Sequence, residues 1–125
     1  MKMFLLFSHS LTDEQIKDGI EDLKVTKFIS LPENLQKIWS NIPPELETLK
    51  SYLNEIKNFI RLNGNSGDYI LIQGDFGAVC EMVEFSKQNS FVPIYATTKR
   101  EVIEEKQDNK VVKKSIFKHI KFRRY

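Results

Sequence analysis

The chain has 125 residues, of which 41% are hydrophobic and 29% charged, and its formal net charge is +2. This composition is typical of one globular domain and excludes a disordered chain. The single cysteine excludes a disulfide framework and a multi-cysteine zinc site within one chain, and two histidines argue against a multi-histidine metal centre.

The apolar runs are all shorter than a membrane span. The longest near the start, residues 3–7, is also too short for a signal peptide and lacks a cleavage site. We therefore expect a cytoplasmic protein with no cofactor and no membrane partner.

Charge is distributed unevenly along the sequence. Residues 110–125 hold seven of the 19 basic side chains and none of the 17 acidic ones. A basic end on an acidic body indicates an anionic partner. The alternative is a solvated edge hairpin whose lysines block aggregation. The charge distribution by itself favours this alternative.

The pattern predicts strands that alternate with helices. Thr12, with Gln15 three residues later, is typical of a capping box that opens the first helix. The predicted strands are residues 2–7, 24–31, 68–73 and 91–96. The predicted helices are residues 12–23, 33–40, 45–62 and 77–88, with 45–62 the clearest because its apolar residues recur at steps of three and four.

The last quarter of the chain predicts a β-hairpin. Residues 101–107 and 111–122 form its strands around a turn at 108–110. Pro93 lies inside the fourth predicted strand, and since proline cannot donate to a ladder, we expect an edge or a bulge there.

This order of elements predicts the fold class. Alternating strands and helices favour a small, doubly wound α/β domain with a mostly parallel sheet. We expect one Rossmann-like domain over residues 1–125, in which residues 100–125 are a C-terminal antiparallel hairpin extension.

Three polar segments follow three predicted strands, at residues 8–10, 73–77 and 97–100. Ligands of such sheets bind beyond the carboxyl ends of the strands, so these segments are the main functional signal. Gly74 and Gly77 permit close backbone approach to a ligand, although a structural turn with Asp75 as a helix cap is the more direct interpretation.

The other two segments carry ionisable side chains. Lys99 and Arg100 are suited to phosphate oxygens, or alternatively pair with Glu101 or Glu104. Histidine is a common acid–base group in enzymes, so His9 suits that chemistry, or else shapes its turn. We read Trp39 as packing, with nucleobase stacking as the minor alternative, and we read Cys80 as buried.

Several sequence blocks resemble a small CRISPR-associated family. They are FLLFSHSLT, LPENLQKIWSNIPPE, GDYILIQGDFGA, PIYATTKREVIEEK and the basic tail IFKHIKFRRY. Together they are similar to one of the type III ancillary families of the Csx series, the one numbered twenty. The resemblance implies a CARF-related fold and a ring nuclease that cuts cyclic oligoadenylates, chiefly cyclic tetra-adenylate, as a homodimer without metal.

The resemblance also implies a set of site residues. Stabilisation of phosphorane charge falls to Arg100 and Lys99, acid–base chemistry to His9, and acceptance of the ribose 2′-hydroxyl proton to Asp75. The ligand-binding set is Ser8, Ser10, Gln73, Gly74, Phe76, Gly77, Thr97 and Thr98.

Two other functions use the same features. One is a non-catalytic cyclic oligoadenylate sponge or sensor that has the same pocket. The other is an RNA- or protein-binding module that uses the basic hairpin, without sequence-specific DNA recognition.

Overall fold

A computed structural model describes residues 1–125 as five strands and four helices. In chain order these are β1 (Lys2–Leu6), α1 (Asp13–Glu21), β2 (Lys27–Ser30), α2 (Glu33–Ser40), α3 (Asn54–Asn63), β3 (Tyr69–Ile72), α4 (Phe76–Gln88), β4 (Val92–Gln107) and β5 (Lys110–Arg124). None of the helices is long and apolar enough to cross a membrane.

All five strands form one sheet in the order β2-β1-β3-β4-β5. The first four run parallel, and β5 pairs with β4 in the antiparallel direction. The predicted α/β class, with a mostly parallel sheet and an antiparallel hairpin at the end, is confirmed. Because the chain leaves β1 towards β2 but later adds β3 on the other side, the strand order reverses between β1 and β3.

Apolar side chains cover both faces of this sheet. A cluster of 14 buried residues joins one face to α2, α3 and α4. A second cluster of 6 buried residues lies on the other face, with side chains that flank α1 packed against it. The β3 sequence YILI is buried at every position, as expected for a central parallel strand.

Two predicted helix starts are confirmed. The Thr12 hydroxyl accepts from the Gln15 backbone N–H at 3.2 Å, and the Gln15 amide oxygen accepts from the Thr12 N–H at 2.9 Å. At α4, the Asp75 carboxylate accepts from the Ala78 N–H at 3.0 Å. Both caps satisfy N–H groups that the first helical turn leaves free.

The prediction of one helix over residues 45–62 is wrong in its first half, because α3 begins at Asn54. The carbonyl of Lys50 accepts from the Lys57 ammonium at 3.2 Å, and the Asn54 N–H donates to Ser51 at 3.2 Å. The helical ladder is therefore interrupted here. Residues 50–53 form a turn and residues 46–49 are irregular, in spite of their helical periodicity.

The second strand also begins later than predicted, at Lys27. Lys24 has a φ of 61°, in the left-handed region, so the chain turns sharply after α1 instead of extending.

The largest correction concerns β4, which runs without a break from Val92 to Gln107. The predicted loop at residues 97–100 is therefore part of a strand, because β5 pairs with it throughout. The change to polar residues marks the point where the strand leaves the core, not its end.

Pro93 lies neither on an edge strand nor at a bulge, which corrects that prediction. β4 has β3 on one side and β5 on the other, and the register shift in β4–β5 lies at Thr97 and Thr98. The Pro93 carbonyl accepts from the Tyr125 N–H at 3.1 Å. Pro93 has no backbone N–H, so the hydrogen bond that is missing is one to Tyr125, the last residue of the chain. The absence of one bond at this end of the β4–β5 ladder is least disruptive.

Candidate functional site

The end of α2 lies across the point where the strand order reverses. The Ser40 hydroxyl is 3.0 Å from the Ser8 hydroxyl after β1. The Trp39 indole N–H donates to the Gln73 carbonyl after β3 at 3.2 Å. The end of α2 therefore contacts both strand exits, at the point where such folds usually bind a ligand.

A cleft of about 720 Å³ opens beside the exit of β1. His9 lies in its wall, exposed, with its ring 5.4 Å from the Phe7 ring in an edge-on arrangement. The Gln36 amide donates to the Phe7 carbonyl at 3.1 Å and to the Ser40 hydroxyl at 3.0 Å. The cleft therefore has a hydrogen-bonded polar wall and one imidazole, a lining that suits a polar ligand of nucleotide size.

Asp75 lines a different cavity, of about 610 Å³, between the start of α4 and residues 42–50. It shares no lining residue with the His9 cleft. Gly77 lines the same cavity, and Phe76 is 92% exposed at the first position of α4. Since Asp75 caps α4 through Oδ2, only the remaining lone pairs of this carboxylate are available to a ligand.

Gln73, expected to contact a base, has a structural partner. Its side-chain oxygen accepts from the Ala96 N–H of β4 at 2.9 Å. The amide thus continues the β3–β4 pairing one step beyond the end of β3. Gly74 lies directly under the Trp39 ring, where an added Cβ would come within 3.2 Å of the indole nitrogen.

Lys99 and Arg100, the predicted cations, lie in the part of β4 that belongs to the hairpin. The Arg100 guanidinium donates to the Ser115 hydroxyl through Nε at 3.1 Å and Nη2 at 2.8 Å. Neither Lys99 nor Arg100 forms an ion pair within the chain, so the alternative pairing with Glu101 or Glu104 is wrong. Both cations keep their charge free for a partner.

The two threonines next to them have different roles. The Thr97 hydroxyl donates to the Lys121 carbonyl at 2.9 Å and accepts from the Lys121 N–H at 3.2 Å, at the register shift. Thr98 is exposed and opposite His119. Thr97 is therefore occupied by the ladder, and Thr98 is accessible.

The three predicted polar segments do not share a cavity within a single chain. Ser8, His9 and Ser10 line one cleft, and Asp75 and Gly77 line another cavity. The cations extend along the hairpin. No group of three or more His, Cys, Asp or Glu side chains is placed to hold a metal ion.

Sequence reasoning missed the contribution of α2 to the His9 cleft. Four polar side chains of this helix line the cleft: Glu33, Gln36, Lys37 and Ser40. Their spacing of three, one and three residues places them on one helical face. That polar stripe, on the face of α2 opposite the buried Leu35 and Trp39, is the sequence pattern that could have predicted the contribution of α2 to the cleft.

A third, open cavity of about 520 Å³ lies on the outside of α4, and Tyr125 lines one part of it. Cys80 lines it and is exposed, so its predicted burial is wrong. The Tyr125 hydroxyl donates to the Ile72 carbonyl. Burial, with a smaller contribution from Tyr95, raises the pKa of the Tyr125 phenol above its ordinary value of 10.0.

The sheet and the cleft beside it define the class of this protein: an α/β protein with a mostly parallel sheet and a polar cleft after its first strand. The chain belongs to the family described as "Uncharacterized protein MJ1673 family", whose pattern matches residues 1–123. It is 50% identical over 124 residues to "Uncharacterized protein MJ1673" of Methanocaldococcus jannaschii, covering 99% of this chain and 96% of that protein. No solved structure matches the chain.

Proposed function

We propose that this chain is a cytoplasmic cyclic oligoadenylate-binding protein with a Rossmann-like, CARF-related fold, and that it cleaves its ligand as a ring nuclease. The identity of the ligand is inferred from the sequence blocks that resemble the Csx family. The observation that supports a binding site is the cleft of about 720 Å³ at the exit of β1, which holds an exposed His9 next to the reversal of strand order.

The proposed reaction needs no metal. A ribose 2′-hydroxyl attacks the adjacent phosphorus, the bond from phosphorus to the 5′-oxygen breaks, and a 2′,3′-cyclic phosphate and a 5′-hydroxyl result. One proton leaves the attacking hydroxyl and one reaches the departing oxygen. His9 is the group in the cleft suited to exchange such a proton near neutral pH.

The charge that develops on the phosphorane needs cations. We assign this role to Arg100 and Lys99, which have no carboxylate partner within the chain. Since they lie on the hairpin and His9 lies after β1, the proposed site combines residues of two protomers in a homodimer. A ring with its own two-fold axis meets equivalent surfaces across such a dimer.

A second candidate is a sponge or sensor that binds the same ligand without cutting it. Two observations favour it: Asp75 lies outside the His9 cleft, and its carboxylate already caps α4. Binding then uses the cleft and the cations, while Asp75, the residue assigned to accept the 2′-hydroxyl proton, lies outside the cleft that holds His9.

Incubation with radiolabelled cyclic tetra-adenylate in EDTA separates the two functions. A ring nuclease gives linear products that end in 2′,3′-cyclic phosphate, whereas a sponge returns the intact ring from a tight complex. His9→Ala should lower turnover about 100-fold if His9 is the acid or base, and Lys17→Ala, on the exposed side of α1, is the control. If the ring neither binds nor breaks, the proposed function is wrong.

A further inference from the structure

The outer part of the β4–β5 hairpin, residues 98–118, projects from the body of the protein. Almost every residue in it is exposed, including large apolar side chains such as Phe117, which is 67% exposed. A two-stranded ribbon without cover is marginally stable in water. This segment is therefore a surface of the fold that lacks a partner within the chain.

Both edges of the ribbon lack a neighbouring strand, because β5 is the last strand of the sheet and β4 extends beyond its short pairing with β3. β3 pairs with β4 only at residues 92–94, and the Gln73 side chain reaches Ala96. Beyond Ala96, the side of β4 opposite to β5 is open. A bare strand edge is a template for another strand.

The backbone alternation of β4 identifies which residues face that edge. The Val92 and Ala96 N–H groups point towards β3, and the Pro93 carbonyl points towards β5. The extra residue at the register shift is Ile120 of β5, so the alternation of β4 is unbroken. The even-numbered residues from Thr98 to Lys106 therefore present their N–H and C=O groups to the open edge.

We propose that β4 pairs along this edge with β4 of a second copy of the chain, antiparallel and centred on Val102. The two Val102 residues then face one another on the two-fold axis, and β5-β4-β4-β5 becomes one continuous sheet. In this register the even-numbered residues, whose N–H and C=O groups point to the open edge, lie opposite even-numbered residues of the second copy. An antiparallel ladder requires this arrangement.

Charge selects this register among those that the alternation allows. It places Arg100 opposite Glu104 of the second copy and Lys99 opposite Glu105, and each pairing occurs twice by symmetry. Opposite charges directly across a ladder are stabilising. Neither Lys99 nor Arg100 has an acidic partner within its own chain.

Sliding one strand by two residues gives the neighbouring registers, and both oppose like charges. A slide in one direction places Glu101 opposite itself. A slide in the other places Glu101 opposite Glu105 and Arg100 opposite Lys106. Like charges opposed in this way are destabilising, so the sequence of β4 favours one register with a second copy of itself.

Sedimentation of the full chain tests the assembly. We expect a dimer, and we expect Val102→Pro to be a monomer because proline removes the central interchain donor and obstructs the edge. Lys113→Pro is the matched control: it places proline on the outer edge of β5, opposite Glu104, and should leave the dimer intact. A monomeric wild type, or a Val102→Pro variant that stays dimeric, overturns the proposal.

Charge reversal gives a test that does not depend on proline. Glu104→Lys opposes two cations and should weaken the dimer about tenfold, given the size of cross-strand pair energies. Adding Arg100→Glu restores the complementary pair and should restore the dimer. If the double variant is as weak as the single one, the register is wrong.

Cross-linking reads the register directly. In a Cys80→Ser background, Val102→Cys should form an interchain disulfide on oxidation, because opposed residues of a bonded pair lie about 5.5 Å apart at Cα. Ile103→Cys, which faces residue 101 of the second copy, should not. Efficient cross-linking through position 103 and not 102 would overturn the proposed register.

The assembly does not rest on the proposed function, although both use Lys99 and Arg100. Arg100→Ala read by sedimentation reports on the ladder, and the same variant read by cleavage of cyclic tetra-adenylate reports on phosphate binding. A dimer that fails to bind the ring leaves this inference intact. A monomer that cuts the ring overturns this inference and the two-protomer site proposed above, but leaves the proposed cleavage activity standing.

Discussion

The Nε2 atom of His119 lies 2.7 Å from Oδ2 of Asp18, across 101 residues of sequence. The imidazole is only 5% exposed, and its Nδ1 is buried without a partner. The contact joins the base of the hairpin to α1, on the face of the sheet that the smaller apolar cluster covers.

We expect His119→Ala to lower the free energy of unfolding by about 2 kcal/mol, because a buried hydrogen bond to a charged group is lost and Asp18 loses its partner. Denaturant unfolding measures this change. Lys118→Ala, on the adjacent exposed position, should change stability by less than about 0.5 kcal/mol. Equal effects of the two variants would show that the contact does not secure the hairpin.

The Lys57–Glu81 ion pair predicts an asymmetric response to mutation. Lys57 is buried, its ammonium lies 2.7 Å from the Glu81 carboxylate, and Glu81 is partly exposed. Glu81→Ala leaves a buried ammonium and should cost about 2–3 kcal/mol of unfolding free energy. Lys57→Met removes the charge and should cost about 1 kcal/mol or less.

The exposed Glu33–Lys37 pair is the control for that prediction. Glu33→Ala should change the unfolding free energy by less than about 0.5 kcal/mol, since exposed pairs contribute little. A larger loss from Lys57→Met than from Glu81→Ala would contradict the burial argument.

Gly74 and Gly77 should respond in opposite ways to alanine. A Cβ at Gly74 comes within 3.2 Å of the Trp39 ring, so Gly74→Ala should cost about 1–3 kcal/mol and alter the fluorescence of this single tryptophan. At Gly77 the added atom meets only contacts of 3.4 Å, and alanine in a helix should be neutral or stabilise by up to about 1 kcal/mol. Unchanged fluorescence in Gly74→Ala would show that the two residues are not in contact.

Tyr125 predicts a loss of stability in alkali. Its pKa is raised in the folded protein above 10.0, first by burial and then by Tyr95. The unfolded chain therefore releases the phenolic proton at a lower pH than the folded protein does. The stabilisation is complete below the unfolded pKa and is lost as pH rises through the folded one.

Tyr125→Phe isolates this effect. The variant should be less stable at neutral pH, because the bond to the Ile72 carbonyl is lost, and its stability should fall less steeply above pH 10.0 than that of the wild type. Denaturant unfolding across this range measures the difference between the two chains. Parallel pH profiles would contradict the assignment.

Local signals in the sequence predicted the elements well where one short pattern decides the outcome. The capping box of Thr12 and Gln15 and the cap at Asp75 required only nearby residues, and both are confirmed. The helix over residues 45–62 failed because its periodicity was correct but the Lys57 side chain takes the Lys50 carbonyl. That competitor depends on tertiary structure and leaves no trace in the local pattern.

The candidate site was predictable only strand by strand. His9 does lie at the exit of β1, as the pattern indicated. Gln73 and Thr97 were singled out as polar residues after strands, yet each continues a ladder with its side chain. A polar residue that extends a sheet and one that awaits a ligand look alike until the neighbouring strand is known.

The turn at Asp108 and Asn109 has a consequence for how the chain folds. Both residues adopt left-handed φ values, 49° and 60°, in a two-residue connection, so β4 and β5 can zip together from adjacent positions on a microsecond timescale of roughly 1–10 μs. The β1–β3 pairing instead requires that three helices and β2, which lie between the two strands in the sequence, fold first or at the same time. The ribbon is therefore expected to be complete, with both edges unpaired, while the parallel half of the sheet is still forming. Two newly made chains can then meet through their ribbons before either has finished folding.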